Sequence, residues 1–338
     1  MPATNATTEF VHVDVKAAGI ALPNLAHQVL WVPKSAPAYM DGNHAALVLS
    51  SGGPQLAANF LVVLDLRGGE ASVANLFPLQ DGFVYNAAQW SPLGDKVAFA
   101  GRVDEEVSFV EEWEPSTGTT KATARLRGTF VHQLEWLDEN RLVCGLLGNQ
   151  NFLVGSPGAM SRLAVRVSEP LSHPVKFALD RERARIYFAT AFRVHELDLR
   201  SKQVRKVVEF AEPADAITHL QLDEAWQTLF VLTRGGHLHV VDLTARRAVD
   251  AIELCRPNPV HFLFHQESDA AAVVSKEGTI AVYRLENYEE LFRGVALLPR
   301  DARLRTPLDL RWNEDGNALL GAYLHAPDVL LRVSIPGD

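Results

Sequence analysis

Cysteine is almost absent from this sequence, whose 338 residues contain only Cys144 and Cys255. Small secreted domains held together by disulfides carry many more cysteines, so a disulfide framework is not indicated. Each cysteine lies in an apolar run or at its end, which predicts two buried, reduced thiols. The N-terminal residues also lack the basic segment followed by an apolar one that marks a secretory signal. We therefore expect a cytoplasmic protein.

Long apolar runs and an excess of basic charge are also lacking. No run approaches the roughly 20 residues of a membrane span. The chain has 32 Lys+Arg against 41 Asp+Glu, a net charge of −9. Basic patches drive binding to nucleic acids and to anionic membranes, so neither partner is expected. A hydrophobic fraction of 47% with 22% charged residues instead predicts a globular protein with a full core.

Motifs for catalysis and cofactor binding are missing as well. The sequence has no P-loop, no Gly-x-Gly-x-x-Gly, no His-Glu-x-x-His, no Cys-x-x-Cys and no Gly-x-Ser-x-Gly. Two cysteines cannot build a thiolate zinc site. We therefore expect no cofactor and no assigned metal, and we favour a binding protein over an enzyme.

A repeat is what the sequence does contain. An aromatic or large apolar anchor is followed by a polar turn and a second apolar strand, most clearly in 90–99 and 312–320. The anchors are Trp31, Trp90, Trp136, Phe177, Leu220, Phe264 and Trp312. Most of their spacings, which are 59, 46, 41, 43, 44 and 48 residues, fit the repeat of about 40–45 residues in propeller blades. Alternating stretches such as 237–240 indicate strands, and no long stretch has helical periodicity, so the sequence predicts an all-β fold.

The seventh repeat is one strand short, because only five residues follow Val333. A strand-like segment, 9–15, precedes the first repeat and can supply the missing strand. This pairing would close the ring and remove a free sheet edge. The sequence therefore predicts one domain over 1–338, a seven-bladed β-propeller with four-stranded antiparallel blades, in which residues 9–16 complete the last blade.

These repeats resemble the seven-bladed propellers of the WD40 and YVTN-type superfamily. The segment Trp90-Ser-Pro-Leu-Gly94 is also similar to repeats of TolB-like and prolyl-oligopeptidase propellers. The sequence departs from the WD40 pattern because no blade carries the Trp-Asp dipeptide. The resemblance implies the fold and leaves the activity open, since propellers host many unrelated functions.

Polar residues shortly before the anchors form the first candidate site. The innermost strand of each blade should begin near one mouth of the central channel, where these side chains would meet. They are His27, Asn86, His132, His173, His219, His261 and Asp309. Converging imidazoles could bind a divalent metal or an anionic ligand, which would suit a metal-dependent lyase or oxygenase. A lactonase-like hydrolase would instead use carboxylates such as Asp309 and Glu135, and histidines there could equally satisfy the backbone of the next blade.

An uneven rim forms the second candidate site. Residues 102–114 carry a net charge of −5 and include Asp104, Glu105 and Glu106, whereas residues 181–206 carry +5. Phe109 and Trp113 lie inside the acidic run and look exposed, and tryptophan is frequent at interaction hot spots. We therefore predict that the rim of blades one to three and the channel mouth bind a protein or peptide partner, with a small ligand as the other candidate.

Overall fold

The computed structural model describes residues 7–14, 25–36, 43–51, 58–67, 71–147, 151–165, 167, 177–210, 216–254, 258–296, 307 and 309–335. In these residues, 28 strands form seven sheets of four antiparallel strands each. The predicted all-β, seven-bladed propeller is thereby confirmed. Nothing in this part of the chain is a helix with the length and apolar character needed to cross a membrane.

The strands follow one another around the ring, with the first three strands of the last blade at the end of the chain. The strands up to blade three are β1 (Thr7–His12); β2 (Leu25–Trp31), β3 (His44–Ser51), β4 (Ala58–Asp65) and β5 (Ser72–Pro78) in blade one; β6 (Val84–Trp90), β7 (Val97–Arg102), β8 (Val107–Glu114) and β9 (Thr119–Arg127) in blade two; and β10 (Phe130–Trp136), β11 (Leu142–Leu147), β12 (Asn151–Ser156) and β13 (Ala159–Ala164) in blade three. The remaining strands are β14 (Ala178–Asp180), β15 (Arg185–Ala189), β16 (Arg193–Asp198) and β17 (Val204–Glu209) in blade four; β18 (Ile217–Asp223), β19 (Thr228–Thr233), β20 (His237–Asp242) and β21 (Arg247–Glu253) in blade five; β22 (Pro259–His265), β23 (Ala270–Ser275), β24 (Thr279–Arg284) and β25 (Glu289–Val295) in blade six; and β26 (Asp309–Trp312), β27 (Ala318–Tyr323) and β28 (Ala326–Ser334) in blade seven.

The N-terminal strand closes the ring, as predicted. Strand β1 pairs antiparallel with β28, so that Thr7 lies opposite Ser334 and His12 opposite Val329. The strand begins two residues before the predicted segment, and positions 15 and 16 lie outside the described residues. Because β1 covers the outer edge of blade seven, that edge is no longer available for pairing with another chain.

The position of each strand within its blade explains its composition. Middle strands such as β7 are packed on both faces and are almost continuously apolar, as expected for a doubly covered strand. Outermost strands such as β9 alternate between exposed and half-buried residues because one face meets water. The buried side chains form seven clusters, several of which combine residues of two neighbouring blades. The core is therefore a ring of apolar wedges between the sheets.

A bulge near the start of the innermost strand fixes the register of five blades. The pairing with the second strand skips one residue at His27, Asn86, His132, Thr218 and Val260. In blades one, two, three and six the bulge lies four residues before the predicted anchor. In blade five the same count gives Leu222, so the predicted anchor Leu220 is two residues too early. The matching turn in blade four places its anchor at Leu179 rather than Phe177.

The two faces of the ring carry different connections. We call the face where the innermost strands begin the upper face; it also carries the loops between second and third strands. The lower face carries the turns that follow the first and third strands. In five blades the lower-face turn after the first strand ends in a residue with positive φ, namely Gly94, Ala184, Gln227, Asp269 and Gly316. Gly94 is also required by space, because a Cβ there would lie 2.6 Å from the backbone nitrogen of Ala36 in blade one.

Candidate functional site

Three of the predicted channel-mouth residues are the bulge residues themselves. His27, Asn86 and His132 occupy equivalent positions on β2, β6 and β10, so the predicted equivalence of these three is correct. The side chain of His27 and the whole of His173 lie outside what the structure describes. The imidazole of His132 lies beside Gly145 of the next strand, where a Cβ would come 2.9 Å from its Cε1 atom. The bulge therefore turns His132 toward its own blade's second strand.

Polar side chains also occupy the position one residue after the bulge in most of the described blades, whereas blade two has Ala87 there; we call this position the second ring. Its described members are Gln28, Gln133, His219, His261 and Asp309. His219 and His261 are therefore equivalent to each other, and both are buried.

Each member of this second ring binds the backbone of the next blade. The amide of Gln28 donates to the carbonyl of Asn86 at 2.9 Å, and that of Gln133 donates to Phe177 at 3.0 Å. The Nε2 atoms of His219 and His261 lie 3.2 Å and 2.7 Å from the carbonyl oxygens of Val260 and Pro307. Because a carbonyl can only accept, each of these nitrogens carries the proton. Asp309 accepts from the backbone N–H of Val29 at 3.2 Å, which joins blade seven to blade one.

Charged side chains form a deeper layer in the channel. Arg311 donates from Nε to Asp309 at 3.3 Å, and 37% of its side chain is exposed. The pKa of Arg311 is raised, chiefly by the negative charge of Asp309 and to a smaller extent by that of Glu135. Burial of the guanidinium acts in the opposite direction.

Glu135 also belongs to a chain of polar contacts on the lower side. It accepts from Gln89 of blade two at 2.8 Å and from Arg181 of blade four at 3.1 Å. Arg181 in turn donates to Glu224 of blade five at 2.9 Å. The two carboxylates named for a hydrolase, Asp309 and Glu135, are therefore both bound to arginines. Among the described residues, no three or more His, Cys, Asp or Glu side chains are grouped so that they could hold a metal ion.

The acidic loop of the upper rim is exposed and well ordered by its own contacts. The Oδ1 atom of Asp104 accepts the backbone N–H groups of Glu106 and Val107, both at 2.7 Å. The carbonyl of Glu106 accepts from Gly128, which ties the loop to the end of β9. Glu105 and Glu106 are exposed, and no ion pair of the described chain includes them. The turn thus presents two carboxylates to solvent.

The rest of the acidic run differs from the prediction. Phe109 and Trp113 are buried, at 0% and 2% exposed, so the expectation that Trp113 lies on the rim is wrong. Both pack into the cluster between blades one and two, where the ring of Trp113 meets Phe77 edge to face. Glu111 is buried beside them, and Glu114 pairs with Lys121 at 2.8 Å.

The basic run of blade four is largely paired. Arg193 and Lys206 both bind Glu209, at 2.6 Å and 3.0 Å. Arg185 lies 3.6 Å from the buried carboxylate of Glu196. The cations that remain free of a carboxylate partner in the described chain lie mainly in the lower-face turn 199–203. The sequence pattern identified this run but not the most exposed aromatic residue of the region, Trp226, which belongs to blade five.

Compared with known proteins, the chain matches no family model and none of the curated sequences. The geometry of the two faces is therefore the basis for assigning a function.

Proposed function

We propose that this protein is a binding scaffold that presents its upper rim at blades one to three to a protein or peptide. The observation that carries the proposal is the pair Glu105 and Glu106, exposed and without an ion-pair partner in the described chain, on a turn that Asp104 holds in place. Exposed charges on a rigid turn steer a partner of opposite charge without a large entropy cost on binding. A basic segment of a protein is the partner that fits.

The channel supports the same proposal. Hydrogen bonds to the backbones of neighbouring blades are made by Gln133, His219, His261 and Asp309. These bonds hold the channel mouth in one shape. A small ligand at the mouth would meet a preformed polar ring. We further propose that the chain is related to the WD40 and YVTN-type propellers and works in the cytoplasm. The repeat of the bulged innermost strand supports the first point, and the scarcity of cysteine supports the second.

Charge reversal at the rim tests the proposal. The variant carrying Glu105→Lys and Glu106→Lys should lose a partner that the wild-type protein captures from a lysate of the cells that encode it. We expect about a tenfold drop in the recovered partner, equivalent to roughly 1.4 kcal/mol. The measurement is quantitative mass spectrometry of the captured proteins.

A matched variant controls for net charge. Glu253 and Glu277 are exposed, lie on the upper side of blades five and six, and are also free of ion pairs in the described chain. The double variant Glu253→Lys and Glu277→Lys changes the net charge equally and should keep the partner. If every protein captured by the wild type binds the Glu105/Glu106 variant equally well, the upper rim is not the binding surface.

A further inference from the structure

Trp226 is the most exposed large apolar side chain among the described residues. It is 81% exposed, whereas Trp90, Trp113 and Trp136 are all 8% exposed or less. It lies in the turn 224–227 that follows the innermost strand of blade five, on the lower face. Tryptophan is enriched among the residues that contribute most of the binding energy at interfaces, so an indole as exposed as this one is a candidate contact for another molecule.

The turn holds Trp226 outward in a defined position. The buried carboxylate of Asp223 accepts the backbone N–H of Trp226 at 3.1 Å. Gln227, which has a φ of 51°, donates from its amide to the carbonyl of Glu224 at 2.9 Å. The backbone N–H of Leu243 from the next turn donates to Gln227. These bonds fix the backbone on both sides, so a partner would meet an indole whose backbone is already ordered.

The fold does not need a tryptophan at this position. The equivalent residues, which precede the positive-φ residue of the same four-residue turn, are Arg183 in blade four and Ser268 in blade six. Trp226 and these two residues share neither size nor polarity, so the position makes no common packing contact. The packing of the blade therefore does not account for the indole of Trp226.

Cations surround this turn on the lower face. Arg183 lies in the matching turn of blade four, and the backbone N–H of Leu199 donates to Ala184, which joins that turn to the turn 199–203. Arg246 of blade five reaches across to within 3.6 Å of Glu196 in blade four. The turns of the two blades therefore form one continuous patch. We define the Trp226 surface as Trp226 with Arg183, Arg200, Lys202, Arg246 and Arg247.

Two carboxylates of this patch, Asp198 and Asp242, are directed into their own turns. Asp198 accepts hydrogen bonds from the backbone N–H groups of Arg200 and Ser201 at 3.0 Å and 2.7 Å. In the turn of blade five, Asp242 accepts from the backbone N–H groups of Thr244 and Ala245. Hydrogen bonds from Ser201 chiefly lower the pKa of Asp198, so it stays ionised in this role.

Arg183 lies 3.6 Å from the buried Asp180 and from the exposed Glu182, so the unpaired cations of the patch lie in or beside the outer turns. Arg200, Lys202 and Arg247 are exposed, and no carboxylate of the described chain pairs with them.

We infer that the Trp226 surface docks an acidic segment of a partner protein that also carries an apolar or aromatic side chain. The apolar side chain packs on the indole, and the carboxylates bind the unpaired guanidinium and ammonium groups. A second copy of this chain is a weaker fit, because two molecules of net charge −9 repel each other. The same net charge argues against a nucleic acid. This site lies on the face opposite the proposed rim and carries the opposite sign of charge.

Selection from a displayed library of random short peptides tests the inference. Peptides that bind the wild-type protein should include a class rich in Asp, Glu and large apolar residues. Trp226→Ala should weaken their binding by about 30-fold, as truncation of a hot-spot tryptophan does. Arg200→Glu with Lys202→Glu should weaken it by about tenfold, and the binding should also fall as salt is raised. Binding is measured with a labelled peptide of the selected class by fluorescence anisotropy.

Matched variants separate this surface from a general effect. Leu93 is a 49% exposed apolar residue in the lower-face turn of blade two, so Leu93→Ala should leave binding unchanged. Arg127→Glu with Lys276→Glu reverses two exposed charges elsewhere and should also be silent. The Glu105/Glu106 variant should still bind these peptides, which keeps the result independent of the upper rim.

Three outcomes would overturn the inference. The first is a set of selected peptides with no acidic class, or an acidic class that binds Trp226→Ala as well as wild type. The second is self-association in sedimentation velocity that Trp226→Ala abolishes, which would make a second copy the occupant. The third is Trp226-dependent binding of a labelled oligo(dT), which would make the occupant a nucleic acid.

Discussion

Two glutamates of the same acidic run have opposite environments. Glu105 is exposed on the upper rim, whereas Glu111 is 1% exposed in the core between blades one and two. The hydroxyl of Tyr85 donates to Oε1 of Glu111 at 3.1 Å, and Phe109 and Trp113 flank it on the same face of β8. Burial raises the pKa of Glu111 to about 7, and the hydrogen bond from Tyr85 acts in the other direction. The carboxyl is therefore protonated in the folded protein below neutral pH.

This burial predicts a pH-dependent stability. In the unfolded chain Glu111 has its ordinary pKa of 4.5, so between pH 4.5 and about 7 the folded form keeps a proton that the unfolded form has lost. The free energy of unfolding therefore falls as pH rises through this window, by about 3 kcal/mol, and the loss persists above it. Glu111→Gln mimics the protonated side chain, so its advantage over wild type should grow by about 2–3 kcal/mol between pH 5 and pH 8.

Urea unfolding at the two pH values measures the difference between the variants. Glu105→Gln is the control, because an exposed carboxylate should change the pH dependence little. An identical pH dependence in Glu111→Gln and wild type would contradict the buried, protonated state. The burial of Glu111 could have been predicted from the sequence. Residues 109, 111 and 113 lie on one face of a strand, so an exposed Glu111 would require both aromatic residues to be exposed as well.

At the level of the strands, the sequence predicts the register where an aromatic residue occupies the anchor position, as tryptophan does in blades one to three and Phe264 in blade six. The bulge residues His27, Asn86 and His132 each lie four residues before a tryptophan. Blades four and five carry leucine instead, and their register depends on turns in which Ala184 and Gln227 adopt a positive φ. Residues other than glycine rarely adopt a positive φ, so the sequence does not predict this turn conformation. Blade six has the same turn geometry at Asp269 and its anchor Phe264 was predicted correctly, so the misplaced anchors of blades four and five follow from the leucine at their anchor position.

The second ring of the channel gives a prediction about its histidines. His261→Ala should destabilise the protein by about 1–3 kcal/mol, because the carbonyl of Pro307 loses its donor. His261→Gln should recover most of that loss, since Gln28 and Gln133 make the same kind of bond from the equivalent position. Urea unfolding compares the variants. Equal losses in both variants, or no loss in His261→Ala, would show that this bond between blades does not stabilise the ring.

For the molecule as a whole, the count of strands was a stronger guide than any motif. Seven repeats with one strand missing required the N-terminal strand to close the ring, and the pairing of β1 with β28 does so. The exposed surfaces were harder to foresee. Trp113 and Trp226 both sit among charged residues in the sequence, yet one is 2% and the other 81% exposed. Burial of a side chain on a blade depends on the neighbouring sheet, which a local pattern does not show.

Closure by a single strand predicts what its removal would do. A variant lacking residues 1–14 leaves β28 as an open edge and uncovers the apolar residues that Val11 and Val13 now cover. Open edges pair with other chains, so this variant should unfold at a lower urea concentration and form dimers or larger species in light scattering. A synthetic peptide of residues 7–14 should bind the variant and return it to a monomer, because it can refill the edge.

The same peptide with Val11→Asp and Val13→Asp is the matched control. It keeps the backbone groups that pair with β28 but places two charges where the wild-type side chains are 5% and 3% exposed, so it should not restore the monomer. If it restored the monomer as well as the wild-type peptide, backbone pairing alone would account for closure. If the shortened variant were monomeric and as stable as wild type, the ring would not depend on β1 at all, and its stability would come from contacts between the other blades.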